Sequence, residues 1–176
     1  CCGRPGSAIQ DREENGAAPE AMKGIHALGR APVLRDGDTV LAESGAIVEY
    51  IVHRHGGGRL AVSPGAATYP RYLYWLHFAE GSLMSLLLIA LVLSRVPDAN
   101  ASAPGKRVLA RMQQMLSFID GELATVPYFA GADFTAADIM MTFPFTTMRR
   151  YLDYDIAPYA NIVAYVKRSE ARGTYL

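Results

Sequence analysis

The stretch from Gly29 to Ile51 constrains the fold more than any other, because it encodes a β-hairpin that runs directly into a helix. Val33-Leu34 and Val40-Leu41 are short apolar runs, and the Asp36-Gly37 pair between them is a turn signal, since glycine accepts positive φ. Ser44 stands where a helix N-cap belongs, and Ala46, Ile47, Tyr50 and Ile51 recur at helical spacing. Pro32 cannot donate a ladder hydrogen bond, which places it at the first position of its strand, where a cis bond is accessible.

Such a unit concentrates polar groups at one point. A strand that ends in Glu43-Ser44 at a helix start gathers backbone N–H groups, a hydroxyl and a carboxylate. The N–H groups and hydroxyl suit a bound carboxylate, and Glu43 suits an ammonium. Both charges occur on the α-amino acid end of a peptide. Ala31, just before Pro32, can pair its backbone with an extended peptide in the manner of strand addition. These residues therefore point to a small peptide with a free amino-acid terminus.

The rest of the chain narrows the class. With 51% hydrophobic and 19% charged residues it is globular rather than disordered. Seventeen basic residues balance seventeen acidic ones, which removes the electrostatic case for nucleic acid or an anionic membrane. The longest uncharged apolar stretch, Gly81 to Ser94, has 14 residues, short of the ~20 that span a bilayer. Cys1 and Cys2, adjacent and terminal, build no disulfide framework, which favours a reducing, cytoplasmic setting. His53 and His55 lie two apart on a helix and point to different sides, so no metal site is expected there.

Taken in order, Pro19 opens a short helix through about Ala27, and the hairpin and its helix follow, closing at Gly56-Gly57-Gly58. Residues 57–66 read as a linker rich in Gly and Pro. Helices are then expected from Thr68 or Pro70 to Val96, from Lys106 to Val126, from Thr135 to Tyr151 and from Pro158 to Arg172, with Pro97 to Pro104 a loop. The second of these carries Leu109, Met112, Leu116, Ile119 and Leu123 on one stripe. Thr135 and Asp138 form a capping box, flanked by Phe134 and Ile139 at the positions of a hydrophobic staple.

Two of these elements, in this order, resemble the glutathione transferase family. Ala31-Pro32-Val33-Leu34 with Glu43-Ser44-Gly45-Ala46-Ile47 is similar to the end of that family's thioredoxin-like domain, and Gly131 to Asp138 to the core helix of its all-helical domain. The resemblance implies an α/β plus all-α fold, a truncated thioredoxin-like domain followed by a helical bundle. Residues 1–56 would form the partial glutathione-binding domain without its first strand and helix, and residues 67–176 the helical domain. It further implies that Ala31 pairs with the cysteinyl backbone of glutathione across a cis Pro32. Glu43 and Ser44 would hold the γ-glutamyl end, and Arg30 would lie near the glycine carboxylate. Tyr72 and Trp75, from an aromatic cluster with Tyr74 and Phe78, would line the pocket for a small apolar electrophile, although core or interface packing explains most of that cluster. The family pairs through the first long helix, so a homodimer is expected, with glutathione as co-substrate and no metal.

The catalytic residue stays unassigned. A thiol of pKa near ~8.5 is mostly protonated at neutral pH, so the family stabilises the thiolate with a Tyr, Ser or Cys at the start of its first helix. Only 18 residues precede the Pro19 helix, while a βαβ unit needs roughly 30. Neither Ser7, Cys1 nor Cys2 has a helix's length of chain after it, so the chain as it stands is expected to bind glutathione without a full conjugation site. The alternative to a transferase is a non-catalytic glutathione-binding or dimerisation module.

Overall fold

The structure is a computed structural model that describes residues 20–29 and 31–173. Its contacts divide the chain into two compact units, Cys1–Ile47 and Val48–Leu176.

The first unit contains α1 (Glu20–Ile25), β1 (Val33–Asp36), β2 (Thr39–Ala42) and the start of α2 (Ser44–Arg54). The hairpin is antiparallel, with Val33 opposite Ala42, Leu34 opposite Leu41 and Asp36 opposite Thr39. Its two-residue loop is therefore Gly37-Asp38, one position later than expected. Gly37 has φ 59°, and a glycine at positive φ in the first loop position is the pattern of a type II′ turn. Asp36 remains a paired strand residue.

Correction is also needed at the start of α2. The first helical hydrogen bond runs from the Ile47 N–H to the Glu43 carbonyl at 2.9 Å, so Glu43 is the cap residue and Ser44 the first residue of the helix. Glu43 reaches this position with φ 76°, a left-handed backbone that non-glycine residues adopt only at a cost.

In the second unit α3 (Tyr69–Phe78), a π-helical turn (Ala79–Met84) and α4 (Ser85–Ser94) form one continuous helical stretch. It has 26 residues, and an 18-residue window within it has a mean hydropathy of 1.9, by length and composition enough to cross a bilayer and more than the 14-residue apolar run suggested. Here Tyr72, Trp75, Leu76, Ala79, Leu83 and Leu87 repeat at helical spacing and are buried in the core, where the stretch packs on α5 and α6.

Helix α5 (Ala103–Leu123) starts three residues before the expected Lys106, because Ser102 caps it by accepting the Gly105 N–H at 3.1 Å and Pro104 fits its first turn. A Cβ on Gly105 would lie 2.0 Å from the Ala99 carbonyl oxygen, so only glycine lets the preceding turn close onto the helix. Met112, Leu116, Ile119 and Leu123 are buried as expected, but Leu109 is exposed, and Gly105 takes its place on the inner seam.

Helix α6 (Ala136–Phe145) ends well before Tyr151. Pro144 has no N–H to donate and its ring crowds the preceding turn, so the helix gives way to a 3₁₀ turn at Thr147–Arg150. The freed Pro144 carbonyl accepts the Tyr154 hydroxyl. Helix α7 (Ala160–Glu170) is capped from a distance: Asp120 of α5 accepts the Asn161 and Ile162 N–H groups at 2.8 and 3.0 Å and the Asn161 side-chain amide at 3.0 Å.

The capping box of α6 is present, and it is more than local. Asp138 is fully buried, and its carboxylate accepts the Thr135 N–H at 2.8 Å, the Thr135 hydroxyl at 3.0 Å and the Phe129 N–H at 2.9 Å. Burial pushes the Asp138 carboxyl up from its ordinary range, and the three donors only partly offset this. Truncation of Asp138 to Ala strands these donors in the core and should destabilise the fold by about 3 kcal/mol, read as a fall in the urea midpoint. Because the folded pKa is raised, the native state holds the proton more tightly. Ionisation of Asp138 then subtracts stability as the pH rises from the ordinary carboxylate range through the raised value. That part of the pH dependence should vanish in Asp138→Ala.

Candidate functional site

The hairpin ends where α2 begins, and this junction holds the polar groups that the sequence brought together. Pro32 immediately precedes β1, and the Ala31–Pro32 peptide bond is cis, as expected. Ala31 and Pro32 are both exposed. Glu43 is exposed as well, and Ser44 is half-buried beside it.

The left-handed turn at Glu43 has a geometric consequence. It ends the strand and starts the helix within one residue, so the Glu43 carboxylate and the Ser44 hydroxyl belong to adjacent residues at a helix N-terminus. The amides of Ser44, Gly45 and Ala46 precede the first helical hydrogen bond, and among the described residues none of them meets an acceptor. A Cβ placed on Gly45 would touch nothing within 4 Å, so no other part of the described chain crowds that position. The arrangement presents N–H dipoles and a hydroxyl to an anion and a carboxylate to a cation. Arg30, expected near the glycine carboxylate, lies outside the described residues, as do Ser7, Cys1 and Cys2.

The aromatic cluster of the second unit is placed differently from the expectation. Tyr72 and Trp75, assigned to the electrophile pocket, are 3% and 1% exposed. Trp75 packs against Phe129 (ring centroids 4.7 Å apart), Phe78 (4.9 Å) and Phe118 (5.7 Å), and these contacts close it off from solvent. Burial also pushes the Tyr72 phenol up, aided by the negative charge of Glu49. Tyr74, at 50% exposed, is the member of the cluster with free surface.

A cavity of about 470 Å³ lies elsewhere in the second unit, among Leu60, α6 and the end of α7, and neither Tyr72 nor Trp75 lines it. Sequence reading missed this cavity. Its lining comes from three separated segments, and only Phe134 and Ile139 had drawn notice, as a staple. In the structure Phe134 carries the Arg172 guanidinium over its ring at 3.9 Å.

Comparison with known proteins assigns the two halves of the chain. The model of the glutathione S-transferase N-terminal domain matches residues 10–59, and that of the C-terminal domain matches residues 83–172. Glutathione S-transferase 3 of Schizosaccharomyces pombe is 31% identical over 172 residues, covering 90% of this chain and 70% of its own. Glutathione S-transferase 1 of Saccharomyces cerevisiae is 32% identical over 153 residues, covering 76% and 65%. Among solved structures, a glutathione S-transferase from Actinobacillus pleuropneumoniae superposes with a TM-score of 0.79 at 32% identity, covering 94% of this chain and 75% of its own. A sphingomonad glutathione S-transferase complexed with glutathione gives 0.70 at 27% identity, with coverage of 92% and 77%.

Trp75 is the chain's single tryptophan, which makes its placement directly measurable. Its fluorescence should be blue-shifted and resistant to acrylamide in the folded protein, becoming quenchable only in denaturant. Ready quenching of the native protein would place the indole at an open pocket instead.

Proposed function

The chain belongs to the glutathione S-transferase family, and we propose that its hairpin-to-helix junction holds the γ-glutamyl end of glutathione for conjugation to a small apolar electrophile. The observation that carries this reading is the junction at Glu43 and Ser44. Its open amides and hydroxyl match the γ-glutamyl α-carboxylate, and the adjacent Glu43 carboxylate matches the ammonium on the same carbon. In this reading Ala31 offers its backbone to the cysteinyl residue beside Pro32, and Arg30 meets the glycine end.

The chemistry required is attack by the sulfur on an electrophilic carbon. The thiol loses its proton, the S–C bond forms, and the leaving group departs with the electron pair of its bond to carbon. The described residues supply binding and orientation of the peptide, which fix where the sulfur lies. Calorimetric titration with glutathione tests the site. Ser44→Ala should weaken binding about tenfold, the scale of one charge-assisted hydrogen bond, and Glu43→Gln should do so by a similar factor. Unchanged affinity in both variants would remove the junction from the site. Conjugation of a chloronitroaromatic substrate, followed by absorbance, then separates a transferase from a module that binds glutathione without turnover.

A second copy of the chain completes the reading. Leu88, Ile89, Val92 and Val96 form an exposed apolar face on α4 and just beyond it, and that face would be covered in a homodimer. Sedimentation at micromolar concentration should give a dimer, and Val92→Glu should shift it to monomer while the thermal midpoint stays near that of the parent.

A further inference from the structure

We infer that the π-helical turn at Ala79–Met84 is a register switch, which lets α4 stand in two rotational settings and so decides which of its apolar faces points outward. The turn lies inside a continuous helical stretch, between α3 and α4. Such turns hold one residue more than the α-helix around them, and they occur frequently at functional positions. Here the regular ladder is interrupted. The Ser85 N–H donates to the Ser82 carbonyl, and the Ser85 hydroxyl donates to the Glu80 carbonyl at 2.9 Å. Gly81 lies within the turn and is exposed, and no other part of the described chain comes within 4 Å of a Cβ placed on it.

Helix α4 does not choose its own rotation. From Leu86 to Leu93 its residues are apolar without a break, so any face of it can be buried. The π turn chooses instead. In the structure Leu86, Leu87 and Ala90 face the core, while Leu88, Ile89 and Val92 are exposed. Conversion of the turn to plain α-helix passes its extra residue on to α4, which turns by about 100° and advances by about 1.5 Å. Each residue of α4 then takes the place of the one after it. Leu86 enters the place of Leu87, Ile89 enters that of Ala90, and Leu87 leaves the core for the outward place of Leu88. Both faces remain apolar, so the two settings share one fold, as in other register shifts of packed helices. Ser85 in the place of Leu86, and Ile89 in the smaller place of Ala90, make the second setting the less populated one.

The setting in the structure offers the face assigned above to a second copy. The switch itself depends neither on that assignment nor on the glutathione junction, and its test reads separated chains at nanomolar concentration. In the full chain Cys1 and Cys2 are replaced by Ser, and Leu86→Cys, Leu87→Cys and Ile119→Cys are introduced singly and followed with a fluorogenic maleimide. By exposure alone the thiol at Leu86, 7% exposed, should react faster than those at Leu87 and Ile119, both at 0%. A register switch reverses this order: Leu87→Cys should react at least about tenfold faster than the other two, because only Leu87 comes out of the core in the second setting. Deletion of Gly81 removes the extra residue and leaves α4 as it stands. Leu87→Cys combined with that deletion should become as slow as Ile119→Cys, with Trp75 fluorescence unchanged. Leu87→Cys no faster than Leu86→Cys would overturn the switch, as would fast labelling of Leu87→Cys that survives the deletion, the outcome of local fraying. The comparison of Leu86→Cys with Leu87→Cys keeps the chain at full length, so it decides the matter even where the deletion fails to fold.

Discussion

The helical unit depends on one buried carboxylate. Asp138 is fully buried, and a charge in that position is tolerated only when donors surround it. Three donors do so: two from Thr135, which fix the start of α6, and the Phe129 N–H, which lies outside that helix. The Phe129 bond matters most for the fold, because it ties the segment before α6 to the helix itself. Phe129 in turn packs against Trp75 at a tilt and edge-on against Tyr165, so one polar cluster sets the position of the aromatic core. The backbone of Asp138 adds to this, since its carbonyl accepts the Thr142 hydroxyl at 2.7 Å and the Tyr165 hydroxyl at 3.2 Å. Helices α6 and α7 are thereby held together by hydrogen bonds as well as by packing.

What the sequence discloses follows from how local each signal is. The capping box and the amphipathic seam of α5 rest on steps of three or four residues and the hairpin on two short runs flanking a tight turn, and the structure contains all three. Errors arise where a remote group decides the outcome. Asp120 caps α7 from 41 residues away, and no spacing rule announces that pairing. Leu109 fits the stripe of α5 by spacing, but it is exposed and Val108 beside it packs against the core instead. Tyr72 and Trp75 look the same in sequence as Tyr74. Which rings are sealed and which are open is set by Phe118 and Phe129, from distant segments.

The candidate site was legible for the opposite reason: Pro32, Glu43 and Ser44 lie on one continuous stretch. Its backbone was not. The spacing assigned the cap to Ser44, whereas the structure turns the chain left-handed at Glu43 and already has Ser44 as the first residue of the helix. A glutamate at φ 76° carries a cost that glycine would avoid, and such costs persist at positions where the geometry is used.

The helix starts of this molecule bring out what that geometry is for. An α-helix begins with amides that have no partner within the helix, and in α5, α6 and α7 an oxygen from the chain meets at least one of them, supplied by the Ser102 hydroxyl, the Leu60 carbonyl and the Asp120 carboxylate. Helix α3 reduces the need with Pro70 in its first turn, which has no N–H to satisfy. Helix α2 differs. Its leading residue carries a carboxylate able to cap, yet among the described residues no acceptor reaches the amides of Ser44, Gly45 and Ala46. A capping oxygen from the chain would fill the position that the proposed γ-glutamyl site leaves for a carboxylate. Of these helix starts, that of α2 is the one without such an oxygen among the described residues, and its amides stand next to the exposed Glu43.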